Sequence, residues 1–261
     1  ELPSLIETAV WLPAGLLGVE LVFRRSRPWG ALVLAGALGM SLLAGHLQIA
    51  AYVWLVAGGA GLAHIVHGLW MRRETLRPTL CLVAAFVLGA GLGAVQALPT
   101  LELGARSPRG AGGVSAAGYQ FHLQRAMLPA ELTTTVDPDF LGSPVTGDYN
   151  AYRISYSEHC AFIGAAGLVG VLLALVAGRR RKAVWLYALL GGLALWVSLG
   201  GPPAYAYYYL IPKIGLAGGF SRLLSVFTLC AGVLCGLGVT ALSDAARERS
   251  DVLRPVWNAA G

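Results

Sequence analysis

Residues 78–98 read PTLCLVAAFVLGAGLGAVQAL, a run without one charged side chain. As a helix it is long enough to cross a hydrocarbon core of about 30 Å. Arg72, Arg73 and Arg77 precede it, and a polar stretch from Pro99 to Glu158 follows it. Working outward, six more apolar runs occupy roughly 5–23, 29–45, 49–70, 160–178, 183–200 and 221–243. Hydrophobic residues make up 56% of the chain and charged residues 12%, with a mean hydropathy of +0.66. A soluble domain carries roughly a quarter charged residues. The predicted fold is therefore an all-α integral membrane protein of about seven transmembrane helices, with one long external loop carrying short helices.

The basic residues orient it. Arg24, Arg25 and Arg27, then Arg72, Arg73 and Arg77, then Arg179 to Lys182, and finally Arg247, Arg249 and Arg254 fall in alternate connections, thirteen of the 19 Lys and Arg. Excess Lys and Arg mark cytoplasmic loops, so 45–48, 99–158 and 200–221 are predicted to lie outside. The chain then reads as a first bundle of four helices at 1–98, an external loop at 99–159, a second group of three at 160–243 with an interfacial segment at 201–220, and a cytoplasmic tail at 244–261. Glu1 in place of an initiator Met, with no leader before the first run, suggests a piece of a longer protein.

The net charge of +6 does not point to nucleic acid, because the basic residues punctuate apolar runs and form no continuous basic face. Cys81, Cys160, Cys230 and Cys235 show no CxxC spacing and read as small core residues. Gly89 with Gly93, and Gly232 with Gly236, have the spacing that lets membrane helices approach closely. Glu20 precedes Arg24 by one helical turn, which suits an ion pair. His64 and His67 share a face; without a third ligand nearby, polar packing is the better reading than a metal site.

Inside the polar stretch, residues 119–132 suit an interfacial helix interrupted at Pro129. Asp137-Pro138-Asp139-Phe140-Leu141-Gly142 is predicted to be a turn, since Asp before Pro disfavours helix and Gly142 offers a stop. His46 and Gln48 sit in a short outside turn, where capping and a site role both remain open. Glu102 and Arg106 pair if the fourth helix extends outward.

The order of Gly45-His46-Leu47-Gln48, Leu98-Pro99 with Glu102 and Arg106, the Pro-Asp-Phe-Leu-Gly turn, Tyr156 with Glu158 before Phe162-Ile163-Gly164, and Ile211-Pro212 with Arg222 resembles the YfhO family of bacterial membrane proteins. That family is similar to GT-C glycosyltransferases. The resemblance implies an inverting sugar transfer from a polyprenyl-phosphate donor to a cell-envelope acceptor, in a bacterial plasma (inner) membrane with membrane lipid around the protein. It also implies a further catalytic acid before residue 1.

Such a transfer needs a carboxylate to take the acceptor's hydroxyl proton and positive charge to stabilise the departing phosphate. The resemblance thus implies Glu102, Asp137, Asp139 and Glu158 as candidates for the first role. It implies Arg106, Arg153 and Arg222, with His46 and Gln48 beside them, as candidates for substrate and phosphate binding. The cofactor is left open, a divalent metal among the options, and no residue set reads as a metal site. Two other classes fit the composition: a lipid or solute carrier (flippase), and a non-catalytic assembly subunit. A carrier places ionisable groups or broken helices near mid-membrane, whereas the centres of these runs hold almost no charge.

Overall fold

The computed structural model describes residues 3–23, 27–106, 114–149, 156–178, 181–211 and 219–258, and every regular element among them is helical. The chain divides into two compact units, Glu1–Gly118 with Tyr208–Gly218, and Tyr119–Tyr207 with Gly219–Gly261. Each is described by itself.

The first unit contains α1 (Pro3–Ala9), α2 (Trp11–Phe23), α3 (Gly30–Leu43), α4 (Leu47–Trp70) and α5 (Leu76–Arg106). The first apolar run breaks at Val10 because Pro13, near the start of α2, lacks an N–H and crowds the carbonyl four residues back. α3 packs between α2 and α5, and glycines on its neighbours receive its leucines. A Cβ at Gly18 would meet Leu34 at 2.7 Å, at Gly89 Leu38 at 2.7 Å, and at Gly93 Leu42 at 2.5 Å. Leu34 and Leu38 are fully buried in consequence. With lipid as apolar as leucine, this interlocking supplies the packing that hydrophobic burial cannot.

In the second unit, α8 (Gly164–Val176) and α9 (Lys182–Ser198) pack on α11 (Leu224–Asn258). A 3-10 turn, Phe220–Leu223, leads into α11. The contact glycines here differ from those predicted. Gly232 and Gly236 face open space, whereas a Cβ at Gly238 would collide with the Gly170 carbonyl oxygen, and one at Gly191 would meet Cys230 at 2.9 Å. At one end of this unit Arg181 bonds Asp244 at 2.5 Å. The opposite end, where α8 and α11 begin and α9 finishes, is closed by the polar segment.

Every predicted apolar run contains a helix, but their lengths are unequal. Pro3–Phe23, Leu47–Trp70, Leu76–Gly104 and Phe220–Arg247 are long and apolar enough to cross a membrane. α9 together with α10 (Pro202–Leu210) makes a fifth if the pair, bent by 87°, counts as one span. α3 and α8 have only 14 and 13 residues. Glycines in the left-handed region bound both: Gly45 (φ 84°) just after α3, and Gly164 (φ 74°) at the first position of α8.

Candidate functional site

The polar segment of the second unit is irregular backbone held by side chains. After α6 (Ala116–Leu123), the Met127 N–H donates to the Ser198 carbonyl at the end of α9 (2.8 Å). Pro129 opens a 3-10 turn, Pro129–Thr135, rather than interrupting a longer helix. The Glu131 carboxylate accepts the Leu128 N–H at 2.6 Å, satisfying a donor that the turn leaves open. The Ile163 N–H donates to the Thr135 carbonyl (3.0 Å), tying this turn to the residue that precedes α8.

Between those two stretches lies α7 (Tyr156–His159), a single turn with two polar pairs on consecutive residues. Glu158 Oε1 accepts from Arg222 Nη2 at 2.9 Å and from Nε at 3.3 Å. Both side chains are about 15% exposed. His159 Nδ1 lies 2.8 Å from Glu131 Oε2, and that pair is more deeply buried still. The carboxylate already takes a backbone N–H on the same oxygen, so the imidazole serves as the donor at Nδ1.

Two buried polar atoms have no hydrogen-bond partner among the described residues, His159 Nε2 and Ser221 Oγ. Each belongs to a residue adjacent in sequence to a member of the Glu158–Arg222 pair. An unpartnered buried group costs about 1–3 kcal/mol, so each such group in a folded protein calls for an explanation. His159 lines a narrow cavity of about 10 Å³ with Glu131, Thr134, Pro138, Leu141, Tyr149, Tyr156 and Cys160, room for about one water or hydroxyl.

The phenols and the thiol that line the cavity hold their protons. The Tyr156 hydroxyl donates to Asp139 Oδ1 at 2.6 Å, and this bond holds its proton well above the usual phenol range. Burial, reinforced by the Glu131 charge, raises Tyr149. Burial likewise raises the Cys160 thiol, so it is no thiolate nucleophile at neutral pH. Asp148 is lowered by hydrogen bonds from Thr146 and the Ser143 N–H.

No family model, curated protein or solved structure matches the chain.

Of the predicted site residues, the structure brings Glu158 and Arg222 together. Asp137 and Asp139 form the predicted turn: Asp137 Oδ1 accepts the Asp139 N–H at 3.1 Å, and Gly142 closes it on the Asp139 carbonyl at 2.8 Å. Glu102, Arg106, His46 and Gln48 belong to the first unit. α5 does extend to Arg106, which bonds Glu102 at 2.7 Å on an exposed surface. His46 caps α4, its Nδ1 accepting the Ile49 N–H at 3.3 Å, and Gln48 donates to the buried Tyr52 hydroxyl at 2.7 Å. Arg153 lies outside the described residues, as does Arg24, the predicted partner of Glu20. Glu20 lies 3.3 Å from His64 Nε2, and the His64 ring stacks on Phe23. No group of three His, Cys, Asp or Glu able to hold a metal occurs among the described residues.

Sequence reasoning passed over Glu131 and His159. Their 28-residue separation fits no helix or strand spacing. The available signal was His159 itself, an imidazole next to Glu158 at the start of an apolar run.

Proposed function

We propose that this chain is the membrane part of a polyprenyl-phosphate-sugar-dependent glycosyltransferase acting on cell-envelope polymers or lipids. The same proposal includes seven spans, a GT-C-like arrangement and kinship with the YfhO family. It places the protein in a bacterial plasma membrane with the polar segment outside.

The observation that carries it is the Glu158–Arg222 pair, largely buried where apolar helices begin. A guanidinium presents a planar fork of donors suited to phosphate. Glu158 holds that fork in place before the donor binds. When the phosphate of the lipid-linked sugar takes the guanidinium, charge building on the departing phosphate oxygen meets a fixed cation. Water is scarce at this depth, so the interaction is stronger than on an open surface.

In membranes carrying the whole protein, Arg222→Lys and Glu158→Gln are each expected to reduce transfer from a polyprenyl-phosphate sugar at least about tenfold, a modest demand for a phosphate-binding group. Lysine keeps the charge and loses the fork. Wild-type rates in both variants would remove the pair from the site. The orientation is checked separately: in a cysteine-free background, Val145→Cys, at a position 95% exposed, is expected to react with an impermeant thiol reagent outside intact cells, and Arg73→Cys is not. The reverse pattern would turn the polar segment inward.

A further inference from the structure

Each carboxylate considered for the proton-accepting role already receives a donor. Glu102 is bonded to Arg106, Asp137 to the Asp139 N–H, Asp139 to the Tyr156 hydroxyl and Glu158 to Arg222. A carboxylate so engaged is a poor acceptor for a further proton, because protonation would forfeit the bond it has. His159 differs. The residue is only 5% exposed, its Nδ1 is bonded to Glu131, and its Nε2 is buried without a partner among the described residues. With the proton on Nδ1, Nε2 carries a lone pair. The same residue is among those that line the one-hydroxyl cavity.

We infer that His159, held by Glu131, takes the hydroxyl proton of the acceptor in the transfer reaction, directly or through one water in the cavity. The inference rests on the glycosyl-transfer reading above. In the step, the acceptor O–H bond breaks and its proton moves to Nε2. The acceptor oxygen forms a bond to the anomeric carbon, and the bond from that carbon to the phosphate oxygen breaks. The electron pair of that bond leaves with the polyprenyl phosphate, beside Arg222. Glu131 balances the imidazolium that results, an orienting role like that of the carboxylate in carboxylate–histidine pairs generally.

The test uses the whole protein in its membrane, with a polyprenyl-phosphate sugar as donor. His159→Ala and His159→Gln are expected to lower kcat at least about a hundredfold, the lower range for acid–base catalysis, with donor KM changed less than about threefold. Imidazole added to the His159→Ala protein should restore at least about a tenth of the lost rate, and the same-shaped but scarcely basic pyrazole should not. Gln keeps an amide donor for Glu131, so it carries the test if the alanine variant does not fold. A near-wild-type rate in His159→Gln, or equal rescue by pyrazole, would make His159 a space-filling residue and overturn the inference.

A separate readout needs no turnover. Nitrogen-15 spectra of histidine-labelled wild-type protein in lipid nanodiscs, taken under the conditions of the transfer assay, should show His159 protonated at Nδ1 and bare at Nε2. A proton on Nε2, in place of that on Nδ1 or in addition to it, overturns the proton-accepting assignment. Wild-type protein that moves no sugar, yet shows a bare Nε2, would instead end the glycosyl-transfer reading and leave the proton-accepting site standing.

Discussion

Gly238→Leu is expected to yield no folded protein, while Gly236→Leu, two residues away, is recovered at the wild-type level. At Gly238 an added Cβ would run into the Gly170 carbonyl oxygen and approach the Ala174 nitrogen to 2.9 Å. Both obstacles are backbone, so no rotamer change relieves them, and α8 and α11 must separate. Overpacking a core with side-chain atoms costs about 1–3 kcal/mol, and a backbone collision exceeds that range. Leucine's better helix propensity returns only about 1 kcal/mol, too little to offset the collision, which draws on a total stability of only roughly 5–15 kcal/mol. At Gly236, an exposed position, no atom of the described residues lies within 4 Å of an added Cβ. Size-exclusion profiles of detergent-extracted protein decide the matter; monodisperse Gly238→Leu at normal yield would mean the α8–α11 crossing is looser than described.

The second large effect falls on the Glu158–Arg222 pair. Arg222→Ala should lower unfolding stability by about 3 kcal/mol, the low end for breaking a buried ion pair, because the Glu158 charge is left without its partner. A solvent-exposed pair would contribute only about 0–1 kcal/mol; at 15% and 14% exposure this one lies nearer the buried limit. Adding Glu158→Gln should recover much of the loss, since the stranded charge is then gone. The double-mutant cycle isolates this coupling from the guanidinium's other interactions. A coupling under about 0.5 kcal/mol in thermal unfolding would reclassify the pair as a solvated contact.

Much of this was legible in the chain. Long uncharged runs specify helices because no other single segment satisfies its own backbone groups in lipid. Glu158 and Arg222 could be singled out because each lies where an apolar run begins. Which glycines meet a neighbour was not legible at α11. Gly232 and Gly236 have the same spacing as Gly89 and Gly93, but spacing leaves the rotation of a helix undetermined. Two positions amount to about 200° around the axis, so Gly236 and Gly238 point to nearly opposite sides. The Glu131–His159 pair was hidden for another reason. Irregular backbone, stitched by Thr134, Thr135 and the capping carboxylate, brings these residues together, and such a path leaves no period in the sequence.

The shortness of α8 bears on the lipid around it. Thirteen residues rise about 20 Å, roughly 10 Å less than an average hydrocarbon core, and Val169, Leu172 and Val176 are turned outward. In the proposed seven-span arrangement α8 crosses the bilayer, and lipid in contact with that face compresses, at a fraction of a kcal/mol per Å. In that arrangement the annulus beside α8 is pinched, and a head group approaching there has less hydrocarbon to cross than elsewhere in the bilayer. Thin membranes relieve that compression and thick ones aggravate it, so the acyl-chain length of the host bilayer becomes a variable acting on the helix that follows Glu158 and His159.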